Sequence, residues 1–125
     1  MKDISNRKDI EKLVFVFYEK VKSDKLIGFF FDETANINWE KHLLIMSNFW
    51  DNILFFAGNY EGHPMDLHLH INKLSSITKK HFNRWLKLFI ETIDEMYVGE
   101  KATLAKEKAV NIATIMQKNI FKKSK

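Results

Sequence analysis

Long apolar stripes of helical period, rarely interrupted by helix breakers, constrain this chain more than any other feature. The 125 residues include one proline and four glycines. Between them, apolar side chains recur at steps of three and four residues, the spacing of one buried face of an α-helix. A chain of this length holds one hydrophobic core. The sequence therefore predicts an all-α protein with a single domain over residues 1–125.

Capping residues and glycines set the expected ends of the long helices. An Asn or Thr before an apolar stripe can accept hydrogen bonds from the first free backbone amides, and a Gly commonly follows the last turn. Asn6 and Asp9 resemble a capping box in which Asp replaces the usual Glu. The predicted helices run from about Asn6 to residues 23–24, from Trp39 (capped by Asn38) to about Phe56, from Thr78 to about Val98, and from Gly99 onwards. The first is expected to be buried on more than one side, because Phe15 and Val16 widen its stripe.

The absence of cysteine removes several kinds of site. Disulfides, thiolate zinc sites, iron–sulfur clusters and cysteine nucleophiles are all excluded. P-loop, dinucleotide-binding and hydrolase motifs are absent too. The N-terminus lacks the apolar core of a signal peptide, and no apolar run approaches the length of a membrane span. We therefore expect a soluble, cytoplasmic protein without membrane insertion.

The charge pattern argues against nucleic-acid binding. The net charge is +4, but nearly all of the positive charge is lysine, and Arg7 and Arg84 are the two arginines. Specific nucleic-acid readers usually depend on arginine for bidentate contacts. The lysines alternate with acids, as on a solvated helix face. Residues 118–125 form a basic tail that we expect to be frayed.

The histidines are the remaining candidates for a metal or cofactor site. His42 lies inside the apolar stripe of the second helix, where an isolated histidine is more often a hydrogen-bonded core residue than part of a site. In residues 60–70, Pro64 favours the first turn of a short helix, which would hold His68. By spacing alone, ordinary surface histidines rank first, a haem ligand at His68 second, and a zinc or copper site at His63, His68 and His70 third.

Four segments, taken in their order along the chain, raise the rank of the haem hypothesis. They are residues 9–14 with Phe17 and Tyr18; residues 39–42 with Met46, Phe49 and Trp50; residues 60–65 with His68; and residues 81–89. With these segments the chain resembles the group III truncated haemoglobins of bacteria over nearly its whole length. The resemblance implies a two-over-two helical sandwich around a haem pocket.

The resemblance also implies roles for individual residues. His68 would be the proximal iron ligand of haem b, and Phe31 would pack on the porphyrin edge. The distal side would be lined by Tyr18, His42 and Trp85. Further wall residues would be Phe17, Met46, Phe49, Trp50 and Phe89. Independently of the family, Tyr18, His42 and Trp85 each lie on the inward apolar stripe of a different helix. Their polar tips can therefore converge in an apolar space.

This sequence departs from the family at some positions. Met46 stands where a branched aliphatic residue is expected, which would soften or reshape the distal pocket. His70 is a competitor of His68 for the iron, and His42 is a second, distal candidate ligand. Arg84 and nearby lysines are candidate partners for the haem propionates.

The implied function is binding of O₂ and related diatomic ligands (NO, CO, cyanide) at a five-coordinate haem iron. A polar distal cage suits O₂/NO or peroxide chemistry, with NO dioxygenase- or peroxidase-like activity, better than oxygen delivery. Such chemistry needs a reductase, unidentified here, and we expect a monomer. Two alternatives stay open: a cofactor-free helical interaction module with a basic surface, and the non-haem metal site at His63, His68 and His70.

Overall fold

Helices account for the regular structure of the described chain. A computed structural model of the protein describes residues 1–28, 38–55 and 78–123, without the side chains of residues 116 and 118–123. Four helices occur in these ranges: α1 Arg7–Ser23, α2 Trp39–Phe55, α3 Lys79–Met96 and α4 Glu100–Lys123. Their observed ends lie within two residues of the predicted ones. No strand occurs in the described ranges, and the prediction of an all-α fold is confirmed.

Local side chains explain where the helices begin. The Asn6 side chain accepts a hydrogen bond from the Asp9 amide at 3.0 Å, and Asn38 accepts one from the Lys41 amide at 3.2 Å. The Asp9 carboxylate binds the amide and hydroxyl of Ser5, both at 2.9 Å, instead of the Asn6 amide. The predicted capping box is therefore half formed, with its return bond displaced by one residue.

The four helices pack as two layers of two. Helix α1 packs against α2 and α3, α3 packs against α4, and α2 makes a smaller contact with α4. The core between them is apolar, and burying each large side chain contributes about 1.5–3 kcal/mol before the entropy of ordering is counted. Among its largest fully buried side chains are Phe17, Phe89, Ile10, Leu13, Leu54 and Ile93. This arrangement is the predicted two-over-two sandwich.

Helix α1 is buried on one side, so the expectation of a wider buried surface is wrong. Phe15 is 53% exposed and Val16 is half-buried. Both principal neighbours of α1, α2 and α3, cover the stripe that includes Leu13, Phe17 and Tyr18. No described helix covers the Phe15 side, which explains its exposure.

The buried face of α2 is rotated from the apolar stripe that the sequence predicts, which consists of Trp39, His42, Met46, Phe49, Trp50 and Ile53. Leu54 and Asp51 are buried, whereas Trp39, Phe49 and Ile53 are only partly buried. An ion pair that the apolar pattern does not encode lies on this rotated face. Arg7 on α1 donates to the Asp51 carboxylate at 3.1 Å, and that side chain is 12% exposed.

The N-terminal segment fixes the start of α4. The Asp3 carboxylate accepts hydrogen bonds from the amides of Lys101 (2.9 Å) and Ala102 (2.8 Å). Burial alone would raise the pKa of Asp3, but these backbone donors hold it below its usual value. Gly99 has a φ of +143°, and a Cβ there would lie 2.5 Å from the Asp3 side chain. Only glycine suits that junction.

Candidate functional site

Tyr18, His42 and Trp39 form a compact aromatic cluster between α1 and α2. The Tyr18 and His42 rings meet edge to face, with centroids 4.8 Å apart. Trp39 contacts both rings, at 5.6 Å from Tyr18 and 5.7 Å from His42. Steps of three along α2 place Trp39 and His42 on one helix face. Two of the three predicted distal residues are therefore in direct contact.

His42 is the polar group that this cluster leaves unsatisfied. Its ring is 9% exposed, and its Nε2 is shielded from solvent without a hydrogen-bond partner among the described residues. Burial disfavours the charged imidazolium and lowers the pKa of His42 from 6.5 to about 4. At neutral pH the ring is therefore uncharged. A buried polar atom without a partner costs free energy, so its retention calls for an explanation.

Tyr18 and Trp85 supply buried polar tips of fixed character. Tyr18 is 3% exposed, and burial raises the pKa of its hydroxyl, which therefore stays protonated. Trp85 is 8% exposed, and its indole N–H is shielded from solvent. An indole nitrogen can only donate. This side of the core can thus offer O–H and N–H donors without placing a charge there.

An aromatic network joins Trp85 to the Tyr18 side. Phe17 contacts Tyr18 at 4.9 Å, Trp85 at 5.7 Å and Phe89 at 5.0 Å, all edge to face. Phe89 also stacks on Trp85 at 5.8 Å and on Trp50 at 4.9 Å. Such contacts are rigid and apolar. The network connects three helices and holds the Trp85 ring in a fixed orientation.

The remaining predicted wall residues fall into two groups. Met46 is 7% exposed in the same core, while Phe49 is half-buried and contacts Trp50 at 5.4 Å. Two key predictions, Phe31 and His68, lie outside the described residues, as do His63 and His70. The proximal side and the proposed non-haem metal site therefore stay predictions. Within residues 1–28, 38–55 and 78–123, no group of three or more His, Asp or Glu side chains could hold a metal ion.

Arg84 has a protein partner that sequence analysis did not identify. Its Nε and a terminal nitrogen lie 2.8 and 2.6 Å from one oxygen of Asp24. The other carboxylate oxygen accepts the amides of Leu26 (3.0 Å) and Ile27 (3.1 Å). Burial would raise the pKa of Asp24, but these donors lower it overall. Arg84 thus ties the end of α1 to the start of α3.

Sequence reasoning missed two residues beside the cluster. The sequence predicts Trp39 as the first residue of the second helix and gives it no role at the site, although its spacing from His42 is a usable signal. The Lys22 Nζ lies 4.3 Å from the centroid of the Trp39 ring, a cation–π contact between α1 and the start of α2. No local sequence signal predicts a contact between separate helices of this kind.

The chain is similar to known proteins in both sequence and structure. The chain matches the bacterial-like globin family over residues 2–121. It is 34% identical over 120 residues to the group 3 truncated hemoglobin of Campylobacter jejuni, covering 94% of this chain and 92% of that protein. The crystal structure of a group III truncated hemoglobin from Campylobacter jejuni matches with a TM-score of 0.81 and 33% identity, over 96% of this chain and 95% of the other. None of the helices in the described ranges is long and apolar enough to cross a membrane.

Proposed function

Because the chain belongs to the bacterial-like globin family and is a group III truncated haemoglobin, we propose that it holds haem b through His68 and binds O₂ and related diatomic molecules between Tyr18, His42 and Trp85. Haem binding itself follows from membership of the globin family. The identity of the haem, the roles of these residues and the choice of ligand are the proposal. The observation that carries it is the buried, unsatisfied Nε2 of His42 beside Tyr18.

The described residues fit a haem group with a small ligand. A flat aromatic cofactor needs an apolar, aromatic surround, which Phe17, Met46 and Phe89 can contribute. A polar atom such as His42 Nε2 is normally satisfied when buried. A ligand atom arriving on this side of the core would supply the missing partner.

Each distal side chain then has a definite task. When bound, haem supplies a ferrous iron whose open position takes O₂, NO or CO. Tyr18 and Trp85 can donate hydrogen bonds to the bound molecule, and the Tyr18 hydroxyl does not ionise near neutral pH. His42 stays uncharged, so its nitrogen can donate or accept according to its tautomer. Preorganised donors of this kind slow ligand release and stabilise negative charge on the ligand.

Slow release favours ligand chemistry over oxygen delivery. We therefore propose O₂/NO or peroxide chemistry, of NO dioxygenase or peroxidase type, supported by a reductase that keeps the iron ferrous. A cytoplasmic, monomeric protein without a nucleic-acid partner would suit this role. These points rest on the sequence and on the polarity of the distal residues.

The visible spectrum of protein purified with haem supplied tests the proposal. Wild type should show a strong Soret band that His68→Ala weakens or shifts, because the mutant lacks the proximal imidazole. The matched control is His70→Ala, which removes a histidine two residues away and should leave the band intact. The spectrum of the ferrous protein then distinguishes an open sixth position from one closed by His42.

Other outcomes would redirect the assignment. A colourless wild type would contradict haem binding and favour the cofactor-free interaction module, for which partner pull-downs would follow. Bound zinc or copper without a porphyrin band would favour the site at His63, His68 and His70. An unaltered band in His68→Ala together with loss in His70→Ala would move the proximal ligand to His70.

A further inference from the structure

Trp39 contacts both polar residues of the cluster but has no assigned role in ligand binding. Its ring lies against Tyr18 and His42, at 5.6 and 5.7 Å. Those two rings also contact each other, so the three form a triangle. The Nε2 of His42 has no hydrogen-bond partner in the described chain. Among the described residues, contacts with the rings of Tyr18 and Trp39 therefore orient the imidazole of His42.

Trp39 lies at the start of α2 and is contacted there from another helix. It is the first residue of α2, where backbone amides lack partners within the helix and Asn38 supplies the cap. Its side chain is also only partly buried. Lys22 on α1 places its ammonium group 4.3 Å from the ring centroid and can hold the indole against the cluster.

His42, Trp39 and Lys22 become more exposed in that order, from the core outwards. His42 is buried, Trp39 is half-buried, and the Lys22 side chain is 35% exposed. A charged group lies outside, an aromatic ring in the middle, and an uncharged, unsatisfied nitrogen inside. A ring in the middle position can shield the inner nitrogen from solvent. Displacing it would open a path from solvent to the polar tips.

We propose that Trp39, held by Lys22, closes the solvent side of the ligand pocket and positions the ring of His42. This inference rests on the proposed function, because it concerns the same distal site. Trp39 acts through His42 and through access to the pocket, and is therefore a positioning residue. The Lys22–Trp39 contact sets how readily a ligand enters and leaves.

Carbon monoxide association after flash photolysis measures the barrier in the haem-loaded protein. Trp39→Ala should speed association, because the ring that shields the cluster is gone. Trp39→Phe keeps an aromatic ring at the same place and should restore most of the barrier. Faster association in Trp39→Ala with rescue by Trp39→Phe supports the proposal, and an equal or slower rate in Trp39→Ala overturns it.

Lys22 variants test the contact without touching the pocket or the core. Lys22→Met removes the cation, keeps the apolar stem and should speed association about two- to fivefold, the factor expected for losing one exposed cation–π contact. Lys22→Arg should restore the wild-type rate, since a guanidinium also stacks on indole. Because Lys22 lies at the surface, this variant remains informative if Trp39→Ala fails to fold.

Two controls isolate the ring contact from simple charge effects. Lys22 also pairs with Glu19 at 3.3 Å, so Glu19→Gln removes that ion pair and leaves the cation over the ring. Lys12→Met makes the same charge change at an exposed position of α1. Both should keep the wild-type rate. A rate increase in either control equal to that of Lys22→Met would overturn the assignment to the ring contact.

A second readout follows the His42 ring instead of ligand kinetics. In the diamagnetic CO form, the ring proton signals of His42 should be displaced by the currents of its aromatic neighbours, and Trp39→Ala should move them. Lys22→Met should broaden or shift them, while Lys12→Met should not. Signals unchanged in both Trp39→Ala and Lys22→Met would overturn the positioning role, even with the wild type binding CO normally. A wild type without a Soret band would instead overturn the proposed function.

Discussion

The carboxylate of Asp24 and the imidazole of His42 are both buried, but they differ in whether their polar atoms have hydrogen-bond partners. Asp24 is surrounded by donors: two nitrogens of Arg84 bind one oxygen, and the amides of Leu26 and Ile27 bind the other. His42 has aromatic rings around it and an Nε2 with no hydrogen-bond partner among the described residues. The first arrangement is complete without any further molecule, and the second is not.

The difference separates a polar group that serves the fold from one that, in the proposed function, serves a ligand. A satisfied buried charge stabilises the fold and fixes the geometry of its neighbours, as Asp24 does between α1 and α3. An unsatisfied buried nitrogen destabilises the fold until something binds it. In the proposed function, a ligand bound beside His42 provides that partner. A ligand-binding role for His42 would therefore lower the stability of the protein without ligand.

The largest predicted effect is the pH dependence contributed by His42. Its folded pKa of about 4 lies below the ordinary 6.5, so between these values the unfolded chain binds one more proton than the folded one. Stability is complete above pH 6.5 and falls as the pH drops to about 4, by up to about 3 kcal/mol. The measurement is the free energy of unfolding of wild type and His42→Leu, at equal haem loading, from pH 7 to 4.

The leucine variant provides the control for this prediction. It lacks the titrating ring, so its stability should fall less steeply across the window, and at pH 7 it should be as stable as wild type or more so. Asp24 contributes in a different window, because its pKa is lowered: its stabilisation is complete above about pH 3.8 and is lost progressively as the pH falls from there. Parallel curves for wild type and His42→Leu would contradict the assignment of an uncharged, buried His42.

Removing the satisfied group should produce the next largest effect. Asp24→Ala removes the carboxylate that accepts hydrogen bonds from the guanidinium of Arg84 and from two backbone amides. It should lower the free energy of unfolding by about 2 kcal/mol. The matched control is Asp94→Ala, which breaks an ion pair with Lys106 in which the carboxylate side chain is 55% exposed, against 5% for Asp24. That variant should lose no more than about 0.5 kcal/mol. Equal losses in urea denaturation would show that Asp24 has no special role.

The contrast between the two groups also marks what the sequence could predict. Helix ends were predictable because caps such as Asn6 and Asn38 act within a few residues. His42, Tyr18 and Trp85 were predictable as inward-facing residues because the helical period is local too. The family resemblance then added roles that periodicity alone could not.

Contacts between helices were beyond the reach of that reasoning. The ion pairs Arg7–Asp51 and Arg84–Asp24 join residues 44 and 60 positions apart. Each depends on how two helices pack, and the first accompanies the rotation of the buried face of α2. The contact of Lys22 with Trp39 belongs to the same class. Local pattern predicts which faces of the helices are buried, whereas side-chain pairs between helices depend on how the helices pack.

Tyr18→Phe should affect ligand release more than stability. The hydroxyl is buried and protonated, so its loss removes one proposed hydrogen bond to bound O₂. Dissociation of O₂ should become about tenfold faster in stopped-flow, equivalent to one hydrogen bond. Tyr97→Phe is the matched control, because the Tyr97 hydroxyl donates to the backbone oxygen of Asp9 at 3.2 Å. Unchanged O₂ dissociation in Tyr18→Phe would refute the distal hydrogen bond.

The smallest change, Arg84→Lys, decides what Arg84 does. A guanidinium binds Asp24 through two nitrogens, and an ammonium group keeps the charge without that geometry. If Arg84 serves to join α1 and α3, Arg84→Lys should lower the free energy of unfolding by less than Asp24→Ala and leave the rate of haem loss unchanged. If it anchors a haem propionate, as the sequence suggested, haem loss to an acceptor globin should accelerate while stability is kept. The Asp24 contact favours the first result, because a side chain already bound to a carboxylate is less available to a second one.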